Sequence, residues 1–150
     1  MSMDILKVTG DRRRYMDLLL LADESPRMIE RYIGRGTMYI LSGNGCTVGE
    51  CLVTDEGGGT LEIKSLAVDP EFQRRGLGRM LIEHVEREYA GKYRTLMVGT
   101  GDSPLTVPFY ESCGFRRSHT VPNFFTDNYD APIYESGVLL TDMVYFKKHI

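Results

Sequence analysis

Apolar and polar positions alternate along this chain in short blocks, some with a period of two residues and some with a helical period, which predicts a mixed α and β fold. Ile5 to Thr9 reads as a first strand. Arg13 to Ala22 and Pro26 to Ile33 read as two short helices, the second opened by Ser25 as N-cap and Pro26 at the first helical position and ended by Gly34 and Gly36. Thr37 to Leu41 and Thr47 to Thr54 are rich in β-branched and aromatic residues, and Ser42-Gly43-Asn44-Gly45 between them predicts a hairpin turn. Gly57-Gly58-Gly59 turns the chain into a strand over Thr60 to Val68. Beyond Asp69-Pro70 and a glycine-bearing loop, Leu77, Leu81, Val85 and Tyr89 recur at helical spacing, with Arg79, Glu83, Glu86 and Arg87 on the other side. Tyr93 to Val98 is the next strand, parallel to the previous one if this helix is a crossover. A helix over Pro108 to Cys113 stops at Gly114, and Phe115 to Val121 and Val138 to Lys147 close the sheet. The connection between them, Pro122 to Gly137, has a length often associated with function.

The chain has 150 residues, which predicts one domain over residues 1–150 with one core. At this size folding hides about 70% of the surface of the unfolded chain, so stability does not require a disulfide or a structural metal. Hydrophobic residues at 42% and charged residues at 26% exclude disordered, collagenous and disulfide-scaffold classes. A net charge of -3 argues against nucleic acid as a partner. Cys46, Cys51 and Cys113 lack CxxC spacing and form no recognisable metal-ligand set with His84, His119 and His149, so no metal is expected and a reducing compartment is. Met1 to Gly10 has no secretory apolar stretch, and Leu18 to Ala22 is far short of the about 20 residues that span a bilayer. These features predict a cytoplasmic protein with no membrane partner.

The chemistry concentrates between Leu61 and Arg79, where a strand runs into a tight loop and then a helix. Gln73 to Arg79 would aim unpaired backbone N–H groups and the positive end of the helix at one point, which suits an anion. Gly76 and Gly78 keep no side chain between backbone and ligand, and Arg74, Arg75 and Arg79 add charge suited to a pyrophosphate. Gly76-Leu77-Gly78 has no third glycine at Leu81 and no Gly-Lys-Ser/Thr follows, so Rossmann and Walker readings do not compete.

Leu66-Ala67-Val68-Asp69-Pro70 followed by Gln73-Arg74-Arg75-Gly76-Leu77-Gly78 resembles the cofactor motif of the GNAT superfamily of acetyl-CoA-dependent N-acetyltransferases. Pro108-Phe109-Tyr110-Glu111-Ser112-Cys113-Gly114-Phe115 resembles the downstream signature of the same family. The resemblance covers Thr60 to Phe115 at motif level. It implies an α/β (α+β) fold with a mixed, mostly antiparallel sheet of about six to seven strands flanked by about four helices. It implies that the fourth and fifth strands splay to admit acetyl-CoA, with Leu66, Ala67 and Val68 offering backbone groups to the pantetheine arm. The amides of Arg74, Arg75, Gly76, Leu77, Gly78 and Arg79 would hold the pyrophosphate.

Acetyl transfer to an amine needs a base, an oxyanion donor and an acid for the departing thiolate. By resemblance, a backbone N–H near Leu66 or Ala67 is the oxyanion donor and Tyr110 the acid, a phenol being protonated at neutral pH. The other reading of Tyr110 is an aromatic at a helix-core contact. Glu62 lies six residues before Val68, where some family members carry the glutamate that takes the amine's proton; its alternative role is an ion pair with Lys64. Ser103 stands seven residues before Tyr110, where a cofactor-contacting asparagine is common, and Ser103-Pro104 could instead cap a helix. A homodimer is plausible by family habit.

Substrate choice is expected at Asp23-Glu24 and in Pro122 to Gly137. Between Arg117 and Lys147 there is no Lys or Arg, while Asp127, Asp130, Glu135 and Asp142 stand among Phe124, Phe125, Tyr129 and Tyr134. That mixture favours a small cationic amine by charge and cation–π contact, with solvated loop acids and core aromatics as the other reading. A protein N-terminus or lysine is the second acceptor class, and an inactive acyl-CoA-binding regulatory module is the reading outside enzymology.

Overall fold

The computed structural model describes residues 2–150. The chain runs β1 (Met3–Lys7), α1 (Met16–Ala22), α2 (Pro26–Glu30), β2 (Thr37–Gly43), β3 (Cys46–Asp55), β4 (Thr60–Val68), α3 (Leu77–Tyr89), β5 (Thr95–Gly101), α4 (Val107–Ser112), β6 (Arg116–Val121), α5 (Phe124–Asn128), β7 (Tyr134–Glu135), β8 (Val138–Leu139) and β9 (Met143–His149). Among the described residues, seven strands form one sheet in the order β1-β2-β3-β4-β5-β9-β6, and β7 and β8 form a separate hairpin. The pairing is antiparallel except between β4 and β5, which α3 joins as a crossover. The sequence patterning thus predicts the strand count and the single parallel pair.

The α3 helix forms because its apolar stripe has somewhere to go. Leu77, Leu81, Ile82 and Val85 are buried on it and pack with Leu41, Val53, Leu61, Ile63, Leu96, Val98 and Phe146 of the sheet. Burying one such side chain contributes about 1.5–3 kcal/mol. The opposite sheet face packs Leu52 and Met38 against Leu19, Ile29 and Ile33 from the α1–α2 region. The sheet therefore has a core on each face, and the site lies where β4 and β5 separate between them.

Five elements differ from the sequence-based expectation. Arg12–Tyr15 is a tight helical turn capped by Asp11, so the first helix begins only at Met16. The second helix ends at Glu30 rather than Ile33, and the fifth strand begins at Thr95 because the Tyr93 N–H is held by the Tyr89 carbonyl at 3.2 Å. The Pro122–Gly137 connection holds a fifth helix, α5, with Phe125 buried beneath it. Ser136 and Gly137, both at positive φ, turn β7 into β8, and the expected Val138–Lys147 strand is divided at Leu140 to Asp142, where the Leu140 N–H bonds to the Ile133 carbonyl at 2.8 Å. Pro108 does not break α4, because it falls in the first turn, where no intrahelical N–H is needed.

Candidate active site

β4 and β5 pair only from Thr60–Thr95 to Ile63–Val98. Beyond that point β4 continues to Val68 along β3, and β5 continues to Gly101 along β9. A bulge coincides with the parting. Lys64 falls between the Ile63–Val53 and Ser65–Leu52 pairs and is matched to no β3 residue, so it bends β4 as the β5 pairing ends. The opening is a cleft of about 460 Å³, lined by Lys64 to Val68 on one side and Val98 to Gly101 on the other. Main-chain groups on the parted side of β4 have no strand neighbour there, which is the arrangement an extended amide-bearing ligand can complete. The β5 wall is shaped by two glycines: a Cβ on Gly99 would stand 2.8 Å from the Tyr145 ring, and one on Gly101 would stand 2.7 Å from Leu140.

The loop after β4 bends through a short helical turn, Pro70–Phe72, capped by the Asp69 carboxylate on the Glu71 N–H at 2.9 Å. The Gln73 amide returns to the Val68 carbonyl at 3.0 Å and ties the loop to the strand. Arg74 at φ 65° and Gly76 at φ 76° are both left-handed, and such alternation turns successive N–H groups toward one concavity. The first intrahelical bond of α3 runs from the Met80 N–H to the Gly76 carbonyl, so the amides of Leu77, Gly78 and Arg79 have no partner within the helix. A Cβ on Gly76 would meet no atom within 4 Å, which leaves the mouth of the concavity open. These features fit a diphosphate.

The two glycines of this loop do different work. A Cβ on Gly78 would stand 3.1 Å from the Phe109 ring, so this glycine lets α3 and α4 approach, a packing role beside the ligand role its sequence position implies. The Arg79 guanidinium is spent on α4 as well, donating to the Ser112 carbonyl at 3.1 Å and its hydroxyl at 3.0 Å. Arg75 lies over the Phe72 ring at 5.3 Å, and both Arg74 and Arg75 are exposed.

Tyr110 extends from α4 into the cleft wall and is 8% exposed. Its ring packs edge-on to Phe109 and Phe115, so the helix-core contact and the cleft position hold together. Burial, with smaller contributions from Cys51, Cys113 and Glu50, raises the phenol's pKa and keeps it protonated. Ser103 is 3% exposed and bonds within its own turn, accepting from the Leu105 N–H at 3.3 Å and lying 3.4 Å from the Thr106 hydroxyl. It lies in the turn that leads into α4, beside Leu105 and Thr106 of the cleft lining.

On the α1 side of the parting strands, Glu62 is 6% exposed and forms an ion pair with Lys64 at 3.2 Å. Desolvation raises its pKa above the ordinary carboxylate range, with Lys64 opposing. Lys64 lines the cleft, and Glu62, its ion-pair partner, is not among the cleft's lining residues. At the cleft rim the Tyr129 hydroxyl donates to Asp23 at 2.9 Å, joining the end of α1 to the segment after α5. Arg27 and Arg31 reinforce that junction through the Asn128 carbonyl and side chain. Burial raises the pKa of Asp23, partly offset by the Ser25 N–H and Tyr129. The acids Asp23, Glu24 and Glu135 line the cleft with Lys64 as the cation among its described lining residues.

Sequence reasoning missed Ser65 and Glu50, which bond at 2.5 Å on the floor of this region. The available signal was one acid at Glu50 within the otherwise apolar stretch Cys51-Leu52-Val53 and Val48.

Comparison with known proteins gives this geometry a lineage. Residues 34–117 match the acetyltransferase (GNAT) domain family. An uncharacterised N-acetyltransferase of Bacillus subtilis (strain 168) is 33% identical over 130 residues, 85% of this chain and 84% of that protein. The crystal structure of a GNAT family acetyltransferase from Elizabethkingia anophelis with acetyl-CoA bound superposes with a TM-score of 0.93 at 35% identity, covering 99% of this chain and 98% of that one. The ribosomal protein bS18-alanine N-acetyltransferase of Salmonella typhimurium (strain LT2) is 40% identical over 63 residues, 41% of this chain and 43% of that protein. No helix among the described residues is long and apolar enough to cross a membrane. With both a domain match across more than half its length and relatives that align nearly end to end, the chain belongs to the GNAT family of acetyltransferases and takes acetyl-CoA as its co-substrate.

Proposed function

We propose that this N-acetyltransferase acetylates a primary amine on a small cationic molecule by direct attack, with Glu62 as general base and Tyr110 as general acid. The observation that carries the choice of acceptor is the charge of the cleft. Asp23, Glu24 and Glu135 line it together with the aromatic rings of Phe125, Tyr129 and Tyr134, and its lysine, Lys64, is already paired with Glu62. Such a lining attracts an alkylammonium both by charge and over ring faces.

When bound, acetyl-CoA supplies the thioester whose acetyl group is transferred. The open edge of β4 from Leu66 to Val68 would hold the pantetheine amides, and the amides of Arg74 to Arg79, with the Arg74 and Arg75 side chains, would hold the pyrophosphate. A main-chain N–H at Leu66 or Ala67 would stabilise charge developing on the carbonyl oxygen. Glu62 would take the acceptor's proton through a water, and its desolvation brings its basicity closer to that of the amine. Tyr110 would deliver its phenolic proton to the departing sulfur; its raised pKa means only that the phenol holds that proton at neutral pH.

A second reading, a protein N-terminal amine as acceptor, is supported by the partial match to the bS18-alanine enzyme. A competition assay tests the choice. Thiol release from acetyl-CoA is measured with aliphatic diamines and amino sugars on one side and peptides with free N-termini on the other. Turnover confined to peptides overturns the small-amine assignment, and tight acetyl-CoA binding with no turnover on any acceptor makes the protein a binding module.

A further inference from the structure

Beneath the cleft floor, on the α1 side of the sheet, lies a polar cluster that the steps above leave unused. Glu50 of β3 has no exposed surface. Its Oε1 accepts a 2.5 Å hydrogen bond from Ser65 Oγ, and its Oε2 has no partner among the described residues. The hydroxyl of Tyr32, in the turn after α2, is buried and without a partner as well. A buried carboxyl with an unpaired oxygen is unfavourable, the more so when ionised, so a hydrocarbon side chain would suit fold stability better at this place. Ser65 links this cluster to the site. It follows the Lys64 bulge, precedes Leu66, and lines the cleft.

We infer that Ser65 and Glu50 form a proton relay from the cleft floor, a second route for the amine's proton beside Glu62; the inference rests on the amine-acetylation reading above. In the step, an N–H bond of the acceptor ammonium breaks and its proton joins Ser65 Oγ, while the Ser65 hydroxyl proton moves to Glu50 Oε1. The ammonium becomes a neutral amine, the carboxylate becomes a neutral acid, and no electrons are exchanged with a third group. The proton returns through Ser65 to water in the cleft after transfer. Ser65 is the residue that touches the acceptor, and Glu50 acts through it as a positioning and storage residue.

The groups facing Glu50 are Ser65 from β4 and Tyr32 after α2, with Cys51 beside it on β3 and Tyr110 of α4 within electrostatic reach. None of these supplies a positive charge. Burial therefore dominates, with Ser65 opposing, and pushes the Glu50 pKa up to about 8. Below that pH the acid is mostly neutral and Glu62 works without it; above it Glu50 is ionised and able to take a proton. The two acids thus divide the pH range.

The test is a pH profile of kcat/KM for acetyl transfer to a panel of aliphatic diamines and amino sugars, with Glu50→Gln and Ser65→Ala compared to wild type. The wild type is expected to gain rate with an inflection near the Glu50 pKa of about 8. Each variant should lose that inflection and fall about tenfold on the alkaline side, and the double variant should fall no further, because the two residues act as a unit. Infrared difference spectra of the protein without ligands should show a protonated carboxyl titrating in the same range and absent in Glu50→Gln. An unchanged inflection in folded Ser65→Ala, or no such carboxyl in the wild-type spectra, overturns the relay. Failure of the underlying reading looks different: the wild type then acetylates no amine in the panel, and the relay falls with it.

Discussion

From Thr60 to Ile63, β4 has a strand on each side, and Leu61 and Ile63 are each 2% exposed against α3. Beyond the Lys64 bulge, from Ser65 to Val68, the same strand keeps β3 but parts from β5, and its residues line a cleft. The composition of the halves hardly differs, since each mixes apolar with polar residues. The difference lies in pairing. Where both edges are bonded, side chains decide stability; where one edge is open, the backbone becomes the ligand-facing surface and side chains act through its geometry.

Four substitutions would break or sharpen this contrast. In the paired half, Leu61→Ala should cost about 2–5 kcal/mol in a denaturant melt, as for other large-to-small core changes, with little change in acetyl-CoA affinity once folded. If affinity collapses while stability holds, the paired half is not merely a scaffold. At the open half, Tyr110→Phe should lower turnover at least about tenfold and leave stability and the acetyl-CoA dissociation constant nearly unchanged. An unaltered rate in steady-state kinetics removes Tyr110 from the chemistry.

A smaller effect is expected at the loop that follows the open half. Gly76→Ala places a Cβ on a left-handed residue that meets no neighbour, so the loss is conformational strain of about 1–2 kcal/mol. Calorimetry should show weaker acetyl-CoA binding with turnover at saturation kept; equal affinity would mean the loop does not set binding. Glu62→Gln should have the mildest and most pH-dependent effect. Burial raises the Glu62 pKa above 4.5, so wild-type activity through this base is lost as pH falls through that raised value. The variant should lack this acid limb, be several-fold slower between that raised value and the amine's own pKa, and approach wild type in stronger acid, where Glu62 is protonated, and in alkali, where free amine is plentiful. A pH-independent ratio points to another base. The stability sign runs the other way: the folded state holds the Glu62 proton more tightly than the unfolded chain, so wild-type stability declines as pH rises from 4.5 toward the raised value.

Much of the fold was legible in the chain because its local signals agree. The Leu77, Leu81 and Val85 stripe, the Asn44-Gly45 turn, the Ser25-Pro26 helix start and the glycine-rich punctuation each name one element, and short connections leave few ways to join them. The breaks within Arg13–Ala22 and Val138–Lys147 were not legible. Both depend on contacts made far along the chain, such as Arg12 donating to the carbonyls of Ile33, Arg35 and Gly36, and the Leu140 N–H bonding to Ile133.

By itself the sequence determined the loop that presents Gly76 and the helix behind it, because left-handed backbone, helix start and apolar period are local properties written within about twenty residues. It also brought Tyr110 and Glu62 forward as candidates. Tertiary structure decided what their neighbours leave them free to do. It spent Arg79 on Ser112, bonded Ser103 within its own turn, bound Glu62 to Lys64, tied Asp23 to Tyr129 across 106 residues, and set Glu50 under Ser65. Burial and strand registry are properties of the assembled sheet, and desolvation, which governs the protons here, exists only once that sheet has closed.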